Sequence, residues 1–208
     1  MTTSAQIDMI LRQQIAQQLA ALYPTAPIEA RIAKSLLENG RFEDDLTADE
    51  LEIIMRNIVY TLIAEQKVAG IDVDVVHNVQ STQIEIENEE AAVSCIVHIH
   101  KPIVAFIHFN YILENDPTDA DSIRLKKGTL KVDEKTRRFD IKAKAALAAL
   151  NVRKITMNEM QQMARIIERT LPPQLLAQGI SGEFSYVQLT LNDKTLSVCL
   201  EGTFQPID

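Results

Sequence analysis

At 208 residues the chain is long enough to bury a substantial core, as one domain or as two small, closely packed ones. With 46% hydrophobic and 24% charged residues, six Gly and seven Pro, it has neither a disordered nor a low-complexity composition. A formal net charge of -8 argues against a general nucleic-acid binder, and two cysteines are too few for a disulfide framework or a metal knuckle.

Residues 1–40 read as a helical extension of two helices. Ile7, Ile10, Leu11, Ile15, Leu19 and Leu22 recur at helical spacing, while Gln6, Gln13, Gln14, Gln17 and Gln18 cover much of the remaining surface. Only Asp8 and Arg12 are charged there. That suits a helix packing on its own domain or on a second copy better than a basic membrane-surface helix. Pro24 and Pro27 make a helix–helix turn. A second helix near Ile28 to Glu38 places Ile28, Ile32, Leu36 and Leu37 on one side and ends at Asn39-Gly40. The amino terminus lacks a basic region followed by an apolar core, and no run of 18 apolar residues follows. Neither a signal peptide nor a membrane-crossing helix is expected, and the expected compartment is the cytoplasm.

Residues 46–208 read as an α+β domain, introduced by Arg41 to Leu46 as a polar connector. Thr47-x-x-Glu50 has the form of a capping box, followed by a helical stripe of Leu51, Ile54, Met55, Ile58, Leu62 and Ile63 that Gly70 stops. From Ile71 the apolar period falls to two, as in Gln83-Ile-Glu-Ile-Glu87, which predicts strands. Ala92 to Leu113 is the most apolar stretch, and Pro102 predicts a bend, bulge or edge within it. After a loop at Asn115 to Asp119, Ser122 to Val132 and Arg138 to Leu147 predict a hairpin turning through Asp133 to Thr136. A bulge is expected at Lys127-Gly128, where the apolar phase switches. A second box, Thr156-x-x-Glu159, opens a helix bearing Met160, Met163, Ile166, Ile167 and Leu171, which Pro172-Pro173 should kink or break. Phe184 to Leu191 and Leu196 to Phe204 then form a closing hairpin. The two boxes, and Gly70 and Gly179, stand 109 positions apart, so residues 47–100 and 156–204 read as a helix-plus-hairpin repeat.

Charge is unevenly spread. Ser122 to Lys154 carries 11 Lys and Arg against 3 acids. Arg124, Lys126, Lys142 and Lys144 on one outer face suit either an anionic membrane or a solvated sheet surface. His98-x-His100 is a way to present two imidazoles to zinc or iron, with His108 on the same face of a continuous strand. Pro102 disturbs that phase and no carboxylate stands at ligand spacing, so no metal, and no other cofactor, is assigned. Cys95 and His98 point to opposite faces of a strand, which removes a Cys–His nucleophile; Cys95 and Cys199 read as buried reduced thiols.

The order helix, strand meander, kinked helix, closing hairpin resembles the tubular lipid-binding (TULIP-like) superfamily over about Leu46 to Phe204. The residues that carry the resemblance are Leu46 to Leu51, Ile155 to Met160, Ile123 to Val132 and Leu171-Pro172-Pro173. It implies a curved antiparallel sheet around one or two long helices. It also implies an apolar pocket lined by Ile99, Ile103, Ile107 and Phe109 on the sheet and Met160, Met163 and Ile167 on the helix. No catalytic residues carry over. The leading expectation is therefore a non-enzymatic binder of a lipid or other apolar molecule, in the cytoplasm or peripherally on an anionic membrane. A closed, ligand-free core is the alternative for the same residues. An interaction module that dimerises through its first 40 residues is the next reading, and a metal-dependent enzyme at His98 and His100 the third.

Overall fold

Thr47 caps its helix as its spacing predicts. Its hydroxyl accepts from the Glu50 N–H at 3.4 Å, and the Glu50 carboxylate accepts from the Thr47 N–H at 3.1 Å. The structure is a computed structural model that describes residues 4–22, 27–68, 74–76, 82–101, 105–135 and 162–207. Within these, side chains are described except at 4–5, 22, 59–60, 62–68, 74–76, 97–101, 105–107, 109 and 134–135. Its elements are α1 (Ser4–Leu22), α2 (Pro27–Asn39), β1 (Arg41–Leu46), α3 (Ala48–Val68), β2 (Asp74–Val76), β3 (Thr82–Glu87) and β4 (Glu90–Lys101). β5 (Ala105–Asn115), β6 (Ile123–Leu125), β7 (Lys131–Lys135), α4 (Met163–Ala177), β8 (Ile180–Leu191) and β9 (Leu196–Pro206) follow.

The class is α+β, with two antiparallel sheets and an amino-terminal helical pair. One sheet runs β1-β9-β8. The other is a meander in which β2 and β3 lie end to end along β4, and β6 and β7 end to end along β5. α3 precedes the β2/β3–β4 ladder, and α4 precedes β8–β9. The offset of 109 does not extend to the turns, since 109 past Asn88 is Ser197, inside β9.

Several expectations change. Arg41–Leu46 is a strand rather than a connector. Phe42 and Leu46 enter the core, and Asp44, which shares their face, stays exposed and pairs with Arg31 at 3.0 Å. β4 ends at Lys101 and β5 begins at Ala105, either side of Pro102, which lies outside the described residues; the two pair antiparallel, with Val93 opposite Tyr111 and Ile96 opposite His108. In place of the expected bulge, Lys127 and Gly128 form a turn between β6 and β7, closed by the Thr129 N–H donating to the Lys126 carbonyl at 3.2 Å; Gly128 takes φ +82, and the Thr129 hydroxyl accepts from the Ile112 N–H at 3.1 Å. β7 runs on to Lys135, through residues expected to turn. α4 begins at Met163, with Gln162 extended ahead of it, and continues unbroken through Pro172 and Pro173. Both prolines are buried in the core. The carbonyls that lose a helical donor belong to Glu168 and Arg169, exposed residues whose backbone water can reach. Gly70, Arg138 to Leu147, Thr156 and Glu159 lie outside the described residues.

Helices α2, α3 and α4 share one apolar core with both sheets, in which Leu46, Leu113 and Leu200 are fully buried. Each such side chain contributes roughly 1.5–3 kcal/mol relative to exposure. The sheets are joined edge to face by side-chain amides. Asn115, at the end of β5, donates to the Leu191 carbonyl at 3.0 Å and accepts from the Leu191 N–H at 2.8 Å. The Asp121 carbonyl accepts from the Leu189 N–H at 2.9 Å. These bonds occupy the outer edge of β8. The Glu52 carboxylate occupies the edge of β3 in the same way, accepting from the Ile84 N–H at 2.8 Å. In β8–β9, Gly182 faces Phe204 and Phe184 faces Gly202, and the two rings meet edge to face at 5.0 Å.

Candidate functional site

Three surfaces carry the functional expectations: the interior between helices and sheet, the basic face, and α1. Met163 and Ile167 both point into the core, at 2% and 7% exposure. With Leu46, Leu51, Leu171 and Leu200 they border a void of about 20 Å³, which holds about one water-sized probe. Ile99, Ile107 and Phe109 lie on β4 and β5 by backbone, with side chains outside the described residues; Ile103 and Met160 lie outside them altogether. Apolar side chains fill most of the space around Met163 and Ile167.

The two described cations of the basic face are paired. Arg124 holds Glu114 at 3.2 Å and Asp116 at 3.5 Å, and Lys126 pairs with Glu90. The Thr118 hydroxyl and N–H, with Arg124 behind them, hold the Asp116 carboxyl below the usual aspartate range. The Glu90 hydrogen bond raises the Lys126 ammonium above its ordinary value. Lys142 and Lys144 lie outside the described residues.

His98 and His100 are on β4 by backbone, their side chains outside the described residues. His108, half-buried, is on the neighbouring strand opposite Ile96 rather than further along the same one. Among the described residues no group of three His, Cys, Asp or Glu is placed to hold a metal ion. Cys95 and Cys199 are buried and free, and burial raises both thiols above their ordinary pKa. Among the described residues no helix is long and apolar enough to cross a membrane.

α1 departs most from its sequence reading. Its inner seam is Leu11, Ile15, Ala16 and Leu19, packed on α3 and α4, with Ala177 of α4 against it. Ile7, Met9 and Ile10, two of them expected on that seam, are 57%, 55% and 47% exposed. At 100° per residue, Ile7, Ile10, Gln14, Gln17 and Ala21 instead form a second stripe on the outer side, at the three- and four-residue spacing of a helix–helix seam, and all five are exposed. Along its second half, Gln14, Gln17, Gln18 and Ala21 border an open, shallow stretch of surface. Asp8 and Arg12 neutralise each other through an i,i+4 pair at 3.0 Å. The signal was present in the spacing; apolarity drew Ile7 and Ile10 to the inner seam, and glutamine hid the rest of the outer one. Set against known proteins, the chain matches no family model and no curated protein.

Proposed function

We propose that the chain is a non-enzymatic interaction module that pairs with a second copy of itself through the outer stripe of α1. The observation that carries this reading is the exposure of Ile7 and Ile10 on a helix whose inner side is already packed. Charge supports it as well: a chain of net charge -8 repels its own copy, yet no charged residue occurs from Gln13 to Ile28. Drug-sized ligands occupy pockets of roughly 300–1,000 Å³. Among the described residues, the space beside Met163 and Ile167 is a void of about 20 Å³, too small for such a ligand. Burying the two half-exposed isoleucines of the stripe on each copy yields roughly 3–6 kcal/mol gross per dimer, at or below the low end of the roughly 4–15 kcal/mol cost of association, so the dimer expected is weak and draws on contacts beyond these two side chains.

The test is native mass spectrometry and sedimentation velocity of the full chain over a concentration series. A concentration-dependent dimer that the Ile7→Glu, Ile10→Glu double variant abolishes, with circular dichroism unchanged, is the expected result. A monomer at every concentration, or a co-purified apolar molecule at one per chain, overturns the reading.

A further inference from the structure

We infer that the inner face of the β4–β5 pair holds a buried acceptor site, in which the Tyr111 hydroxyl, beside the Cys95 thiol and the Thr82 hydroxyl, binds an uncharged oxygen. That oxygen is either an internal water or the carbonyl or hydroxyl head of an otherwise apolar molecule. The inference stands apart from the self-pairing reading and uses no part of α1.

Sheet register brings the three groups together. Thr82 of β3 is directly opposite Cys95 of β4, and its hydroxyl lies 3.4 Å from the thiol. Cys95 is opposite Phe109 and Val93 is opposite Tyr111, so Tyr111 takes the position diagonal to Cys95, a separation that an aromatic side chain spans. Cys95 and Tyr111 belong to the apolar core, at 6% and 4% exposure. Thr82 is half-buried at the first position of β3, which sets one end of the trio at the margin of that core.

Among the described residues the Tyr111 hydroxyl has no hydrogen-bond partner. A buried polar group is almost always bonded to protein or to ordered water, because leaving it unpaired is costly. Burial, and then the Cys95 thiol, raise the Tyr111 phenol above its ordinary pKa, so it keeps its proton and acts as a donor. Burial likewise raises the Cys95 thiol. Tyr111, Cys95 and Thr82 thus offer three neutral donors, of which the Thr82–Cys95 contact uses one. The side chains flanking them on the same face, Ile84, Val93 and Leu113, are apolar and buried, and give a charged acceptor no counter-ion. An uncharged oxygen fits. A water bound here finds at least the two polar partners that internal waters need.

Tyr111→Phe deletes one oxygen from the full chain and reads the site by the sign of its effect. Phenylalanine is neutral or stabilising where the hydroxyl is unbonded, and destabilising where it donates to an acceptor. The expected result is a lower urea midpoint at unchanged slope, with a wild-type-minus-variant ultraviolet resonance Raman doublet of a donating tyrosine. An unchanged or higher midpoint, or the doublet of an unbonded tyrosine, overturns the inference. A crystal structure of the wild-type chain identifies the acceptor. An oxygen of water or of a bound molecule at hydrogen-bond distance from the Tyr111 hydroxyl supports the inference, and a protein acceptor overturns it. Native mass spectrometry with solvent extraction separates the two sources. A clean mass assigns the oxygen to water; an apolar molecule at one per chain assigns it to a ligand head, which overturns the self-pairing reading and leaves this one standing.

Discussion

Replacing Asn115 by Ala removes the side chain that joins the two sheets. The Leu191 N–H and carbonyl both lose their partner, at 2.8 and 3.0 Å, while the Leu191 residue is 1% exposed. A buried backbone group left unpaired costs about 1–3 kcal/mol. Asn115 itself is half-buried, so water recovers part of that, and the expected loss is about 2–3 kcal/mol. Asn115→Asp separates hydrogen bonding from shape. It keeps an acceptor for the Leu191 N–H but sets a carboxylate oxygen against the Leu191 carbonyl, so at neutral pH it should cost nearly as much as Ala. Urea unfolding followed by circular dichroism measures both, as a lower midpoint at unchanged slope. A loss under 0.5 kcal/mol for Asn115→Ala would refute the argument that this amide bridge holds the sheets together.

The Glu50 carboxylate is opposed by burial, but the Thr47 N–H and hydroxyl and the Arg31 guanidinium outweigh it and hold its pKa below the ordinary 4.5. A folded-state pKa below the unfolded one gives stability that is full above the unfolded value and is lost as the pH falls through the folded one. Glu50→Gln should therefore cost about 1 kcal/mol near neutrality and converge on wild type in acid; a gap that stays constant with pH counts against it. The β3–β4 turn holds both Asn88 and Glu89 in the left-handed region, at φ 54 and 61. Glu89→Gly should raise stability by about 1 kcal/mol, and a lower melting temperature would contradict that. A Cβ on Gly202 would overlap the Glu183 carbonyl oxygen and the Phe204 ring. Gly202→Ala should destabilise by about 2–3 kcal/mol in urea titration, and a neutral result would dismiss the clash. Ile10→Glu alone should weaken the dimer at least tenfold in sedimentation while leaving the urea midpoint of the monomer unchanged, because Ile10 is half-exposed and off the inner seam.

Local punctuation was legible in the sequence where one residue type has one physical use. Thr47 with Glu50 and Gly40 after α2 do what their spacing says, and Gly128 breaks the strand where the apolar phase switches, as a turn rather than a bulge. Alternation likewise placed Ile84 and Ile86 inward, at 5% and 9% exposure. β1 was hidden because Asp44, exposed, stands between buried Phe42 and Leu46 on the same face and interrupts the apolar alternation; its charge is met by Arg31 from α2, a partner no local window contains. Pro172 and Pro173 misled in the opposite sense. Their cost to the helix is offset by burial of both rings, and burial depends on tertiary packing. The described part of the interior was legible in membership, since Met163 and Ile167 are both buried. Hydrophobicity says that Met163 and Ile167 go inside, and only the fit of their neighbours says whether space remains. On α1 two stripes compete for the same apolar residues, and the choice between them is made by where α3 and α4 stand.

The pairing of β1 with β9 has a consequence for how the protein is made. Arg41 meets Glu201, a residue 160 positions later. During synthesis α1, α2, β1 and α3 therefore emerge long before the strand that covers Phe42 and Leu46 exists, and those side chains stay wet until residues near 200 have left the ribosome. Closure over so long a loop is slow in free refolding as well. The nascent chain is thus most exposed to chaperones, proteases and wrong partners while its amino-terminal third waits. Glu43, Asp44 and Asp45 along that waiting strand, by keeping its edge charged, make it a poor template for another chain in the meantime.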